Sequence, residues 1–181
     1  MRSFSRKLWK ERALARITKI AASGEGKAIG LKSRNLTAIK SLHVVVKWCE
    51  ARSIKVKFGR IQGGEYDPIE SSIAISGRAS PESQLFLLLH EIGHYLFEKH
   101  GSSRNKKSRG YAELCPTDKS MHYKVDTIEE EYEAWDRGWK LAQQLKIDVN
   151  SERFNACKIR SIRTYFEWAV RKDDGEDGPN K

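Results

Sequence analysis

Hydrophobic and polar positions recur along this chain in two periods, and the switches between them mark its elements. Leu8, Trp9, Ala13, Ile17 and Ile20 fall at helical spacing among arginines and lysines, which predicts a basic amphipathic helix over residues 1–21. Gly24, Gly26 and Gly30 interrupt the pattern, so residues 22–33 read as a linker. A second helix is predicted from Asn35 to Ala51, with Leu36, Ile39, Leu42, Val45, Val46 and Cys49 as its apolar stripe. From Ile54 to Gly59 the period drops to two, as in a half-buried strand. Gly63-Gly64 and Asp67-Pro68 mark turns, and Ile73-Ala74-Ile75 centres a second strand within residues 69–76. Standing just ahead of the next helix, this strand is expected at a sheet edge, where an extended peptide could add to it.

Ser80-Pro81-Glu82 combines an N-capping serine, a proline suited to the first helical position and a first-turn glutamate. The helix it starts runs through Leu85-Phe86-Leu87-Leu88-Leu89 to near Gly101, and its early apolar content predicts a central, buried position. Residues 101–126 read as a loop, basic and polar from Ser102 to Gly110. Thr127-Ile128-Glu129-Glu130 reads as a capping box opening another helix to about Leu145. A last helix covers roughly Ser151 to Arg171. There Phe154, Ile159, Ile162, Tyr165, Phe166, Trp168 and Ala169 form the packing side and arginines and lysines the outer face. The expected organisation is a basic helix and linker (residues 1–33), one domain (34–172) and an acidic, disordered tail (173–181).

Composition narrows the picture. Apolar residues are 39% of 181, enough for one core, and the charged residues are spread along the chain. The formal charge of +10 favours acidic partners, nucleic acid among them, although no nucleic-acid motif accompanies it. Cys49, Cys115 and Cys157 are isolated, which argues against a disulfide framework and against a zinc ribbon. No apolar signal region follows the basic N-terminus and no segment is apolar enough to span a membrane, so a cytoplasmic location is expected.

The chemistry concentrates in His90-Glu91-Ile92-Gly93-His94. Two histidines four apart on a helix point the same way, one turn apart, so both imidazoles can reach one metal ion. Glu91 then projects beside the ion, placed to take a proton from a metal-activated water. A buried helix seldom carries three such groups in adjacent turns without a partner for them, because unpaired burial costs several kcal/mol. Zinc is the default ion for this donor set. A third protein ligand is required, and His100, His122 and the glutamates of Glu129-Glu130-Glu131-Tyr132-Glu133 are the candidates. With Thr127 as N-cap, Glu130 completes the capping box and Glu129 serves the helix dipole. Glu133 shares a face with Asp136, Arg137 and Lys140, read as solvated; Glu131 shares one with Ala134, Trp135, Gly138, Ala142 and Leu145. Glu131 is therefore the expected third ligand and Glu133 the fallback. His122 and Tyr123 are candidates to stabilise a tetrahedral oxyanion, with Tyr111 a weaker one.

The order of elements, with His90-Glu91-Ile92-Gly93-His94 and Glu131-Tyr132-Glu133-Ala134 as anchors, resembles the ImmA/IrrE-type metallopeptidases of bacteria and their phages and other mobile elements. The similarity covers roughly residues 35–145. It implies a small zincin-like α+β fold with a short sheet, and zinc (Zn2+) bound by His90, His94 and Glu131 with Glu91 as general base. It also implies a hydrolase of narrow specificity, an endopeptidase whose protein substrate is a DNA-bound repressor. The other reading is a zincin-like binding module that holds DNA or a protein partner through its basic surface, with no catalytic role for Glu91.

Overall fold

The computed structural model describes residues 29–100 and 120–170, with side chains from Asn35 onward. The expected N-terminal helix, the basic stretch 102–110, Tyr111 and the acidic tail all lie outside the described residues. Among those described, the chain is α+β: helix α1 (Ile29–Glu50), strands β1 (Lys55–Gly59), β2 (Gly64–Asp67) and β3 (Ser72–Ser76), then helices α2 (Pro81–His100), α3 (Met121–Gln144) and α4 (Ser151–Val170). No helix among them is long and apolar enough to cross a membrane.

Helix α1 begins six residues before the predicted start, within what reads in sequence as a linker; the glycine at 30 does not break it. Its buried line is Ala38, Ser41, Val45 and Cys49, with Leu42 and Val46 half-buried beside it. The predicted alternation of β1 holds, its odd positions exposed and Val56 and Phe58 half-buried. The sheet order is β1-β3-β2, with β1 parallel and β2 antiparallel to β3.

Strand β3 is thus central, which corrects the expectation that it forms an edge. Its residues show why. Ser72, Ile73, Ile75 and Ser76 are all buried, the near-continuous burial of a strand paired on both sides and covered by helices. The edge strands are β1 and β2, and β2 is formed by residues that read as turns. Gly64 and Asp67 both look like turn punctuation, and four residues are too few for a period to show. Asp67 still does turn chemistry at the strand end, where its Oδ1 accepts from the backbone N–H groups of Ile69 and Glu70.

Helix α2 starts as predicted: Ser80 Oγ accepts from Ser83 N at 3.2 Å, and Pro81 opens the helix. Leu85, Phe86, Leu88, Leu89 and Ile92 are buried, which makes α2 the centre of the core. It packs against α1, against the sheet and most extensively against α3.

Helix α3 begins two turns before the predicted cap. Ser120, not Thr127, is the N-cap, and its side chain accepts from Tyr123 N. Thr127 lies inside the helix and turns its hydroxyl back to Tyr123 O at 2.9 Å, the bond a mid-helix threonine makes when the chain has already begun to coil. The capping-box reading of Thr127 and Glu130 therefore falls, and His122 and Tyr123 sit in the first turn of a helix rather than in a loop. On α4 the buried side is Phe154, Ile162, Tyr165 and Ala169. Ile159 and Phe166, expected to pack, are exposed, because they lie on the flank away from α3.

Candidate metal centre

Helices α2 and α3 meet at two glycines. A Cβ on Gly93 would stand 1.9 Å from Ala134 O, and one on Gly138 would stand 2.3 Å from Leu89 O. No side chain fits at either place, so each glycine marks a point where one helix backbone rests on the other. A glycine inside a helix costs about 1 kcal/mol relative to alanine. Here that cost secures a close crossing, and the crossing brings the histidines of α2 within reach of a carboxylate on α3.

At the crossing His90, His94 and Glu131 converge, their donor atoms all within 4.8 Å of one another. The two Nε2 atoms are 3.3 Å apart. Glu131 Oε2 lies 3.2 Å from His90 Nε2, and Oε1 lies 3.5 Å from His94 Nε2. Ligands about 2.0–2.1 Å from a tetrahedral ion stand about 3.3–3.4 Å apart. The three spacings match that figure closely, so the residues fit a small divalent ion such as zinc. The polar atoms give the same indication. Glu131 Oε2 and His90 Nδ1 are buried without a hydrogen-bond partner, and a buried carboxylate beside two imidazoles is stable only with a positive charge among them. Burial would raise the Glu131 carboxyl, but His90 and His94 outweigh it and hold the group well below the usual carboxylate range. Burial would likewise lower His94, yet Glu130 and Glu131 push it up to about 10.

The surroundings hold the imidazoles in place. His90 stacks on Trp135, with ring centroids 4.4 Å apart and planes 26° from parallel. Trp135 in turn meets Phe154 of α4 edge-on at 5.2 Å. His94 Nδ1 is 3.4 Å from Glu130 Oε1, so Glu130 steadies the ring by its far nitrogen, as carboxylates commonly do for metal-binding histidines.

Glu91 is buried with Oε2 unpartnered, and its carboxylate lies against Gly64 of β2. A Cβ on Gly64 would stand 2.7 Å from Glu91 Oε1. Strand β2 thus passes directly over the carboxylate, and only the missing side chain at 64 leaves it room.

Glu133 stands apart from the group. It is half-buried and pairs with Arg137 at 2.7 Å; the Arg137 guanidinium also donates to Leu96 O and lies over the Phe97 ring. This face of α3 is therefore not the solvated one expected, since α2 covers it. His122 is exposed, and Tyr123 meets Trp168 of α4 edge-on, 6.1 Å between centroids. Eight residues separate Tyr123 from Glu131, about 12 Å along the helix axis. The packing directs Tyr123 to α4, and neither residue is among the group at the crossing. His100 is exposed at the last position of α2.

Residues 49–135 match the family model described as Peptidase M78, IrrE N-terminal-like domain. Residues 49–135 thus carry the domain of the ImmA/IrrE-type metallopeptidases. The matched stretch begins at the end of α1 and stops at Trp135, so it contains all three strands, α2 and the glutamates of α3. No curated protein and no solved structure matches the chain. Helix α4 and the second half of α3 lie beyond the family domain, although both pack against its core.

Sequence reading missed Glu130, Gly64 and the paired glycines 93 and 138. For the glycines the signal was present, since a glycine inside an otherwise strong helix needs a packing reason.

Proposed function

We propose that this protein is a zinc-dependent endopeptidase of narrow specificity, with His90, His94 and Glu131 as ligands and Glu91 as general base. The observation that carries the reading is the trio of spacings of 3.2–3.5 Å among three buried donors, beside a buried carboxylate with an unpartnered oxygen. A divalent ion held there would supply Lewis acidity and lower the pKa of a bound water towards about 7. Glu91 takes a proton from the attacking water and returns it to the leaving amine, which its free Oε2 allows. Trp135 and Glu130 keep the imidazoles oriented. The outer edge of β2, whose one sheet partner among the described residues is β3, offers a place where an extended peptide can add beside Glu91. The substrate is a protein; the resemblance implies a DNA-binding repressor, and the cytosol suits both partners.

Purified protein should bind about one zinc per chain, and His90→Ala should lose it. Glu91→Gln should retain the metal, cut nothing and retain uncut substrate in a pull-down. A protein that takes up no zinc would refute the reading. If Glu91→Gln binds zinc and leaves the biological function unchanged, the binding-module alternative takes its place.

A further inference from the structure

Helix α4 runs antiparallel along α3, and its contacts set a continuous register. Phe154 meets Trp135 and Trp139 at 5.2 and 5.3 Å. Lys158 pairs with Asp136 at 2.6 Å and lies over the Tyr132 ring. Trp168 meets Tyr123. Residues rising along α4 thus match residues falling along α3, and Tyr165 comes opposite the turn just before Glu131. Side chains on a helix lean towards its own N-terminus. In this antiparallel pair Tyr165 leans up α3 towards position 131, and Glu131 leans back towards position 127, so the two converge. Tyr165 is buried, and its hydroxyl hydrogen-bonds the Glu131 carboxylate. A phenol of ordinary acidity is protonated at neutral pH, so the hydroxyl is the donor and the carboxylate the acceptor.

We propose that Tyr165 is a positioning residue for the metal: its hydroxyl donates to Glu131 and holds the carboxylate against the two histidines, so that a helix outside the family domain completes the site. The inference rests on the metal-site reading above. A glutamate side chain has three rotatable bonds, and unheld it would sample positions that cannot share an ion with His90 and His94. One hydrogen bond from a rigid, buried ring restricts that freedom and leaves Oε2 3.2 Å from His90 Nε2, at the spacing two ligands of one ion would have. Partners of this kind typically contribute 10–100-fold, or about that order, in metal affinity.

The test is zinc affinity of the full chain, read by competition with a chromophoric chelator. Tyr165→Phe removes one oxygen and keeps the ring. It should bind zinc about 10–100-fold more weakly, with the zinc-stripped protein still folded at the assay temperature by circular dichroism. Ile162→Val, one turn away on the same buried side, trims packing without touching the hydroxyl and should change affinity less than about threefold. Wild-type binding that Tyr165→Phe matches within threefold would overturn this inference and leave the metal site standing. Equal losses in both variants would also overturn it, showing that α4 acts through packing alone. If the wild type binds no zinc, this inference falls together with the reading it rests on.

Discussion

At the scale of single residues, the centre is a contest between protons and a metal for the same lone pairs. Without a metal, His94 is held up to about 10 by Glu130 and Glu131 against the opposing effect of burial. The ring therefore carries a proton at neutral pH, and a metal ion must displace it. Zinc binding near pH 7 should release about one proton, measurable by titration calorimetry in buffers of differing ionisation enthalpy, and the apparent affinity should rise with pH until about 10. The same shift governs the stability of the zinc-stripped protein. Its folded-state value lies above the ordinary histidine value of about 6.5, so the contribution is fully present below that value and is lost as pH rises towards 10. A stripped protein whose melting temperature does not fall between pH 7 and 10 would contradict this. Of these residues, His90, Glu91 and His94 were legible from spacing alone. Glu131 was legible from its helix face, although the cap used to sort its neighbours was misplaced. A two-turn error shifts the start of a helix but leaves its angular positions unchanged, so the buried face was still assigned correctly. Glu130 was assigned the wrong partner for the same reason: with Ser120 as cap it faces His94, not the helix start.

At the scale of elements, glycines decide which surfaces can touch, and two of them do so with different consequences. Gly93→Ala sets a methyl against the Ala134 carbonyl of another helix, which cannot move aside as a flexible side chain would. Overpacking of this kind costs about 1–3 kcal/mol, and at 1.9 Å the upper end or beyond is expected. The α2–α3 crossing should open, weakening zinc binding and lowering the denaturation midpoint together. Gly64→Ala instead sets its methyl against the Glu91 carboxylate, a side chain that can swing away. It should cut the hydrolysis rate at least about tenfold, in line with a misplaced general base, while zinc affinity stays within a few-fold. Parallel measurements of zinc affinity and turnover on the two variants separate these outcomes, and the same pattern in both would refute the distinction. The register of β2 on β3, Gly64 opposite Ile75, explains why this glycine meets the carboxylate. No periodicity in the sequence could have shown it, since β2 has only four residues and two of them read as turn formers.

At the scale of the whole molecule, one core serves both scaffold and site. Phe154 of α4 touches Trp135, Trp135 stacks on His90, and all three sit among the buried residues around α2. Metal and fold should therefore be linked. At zinc concentrations about 100 times the dissociation constant, binding adds about 2.7 kcal/mol. For a chain of this size each kcal/mol is worth roughly 2–4 °C, so a chelator should lower the melting temperature by roughly 5–10 °C. Glu91→Gln should show the same drop and His90→Ala none, which calorimetry of the three proteins can check. The sequence by itself determined the α+β class, the course of α2 and the inward face of Glu131. These follow from local rules: hydrophobic period, capping chemistry and the angle between successive side chains on a helix. The tertiary structure alone decided that β3 is central and β2 lies over Glu91, that two glycines bring α2 and α3 into contact, and that α4 buries Tyr165 against α3. Each of these depends on contacts between residues far apart in the chain, whose positions are set by how whole faces pack and not by the residues beside them.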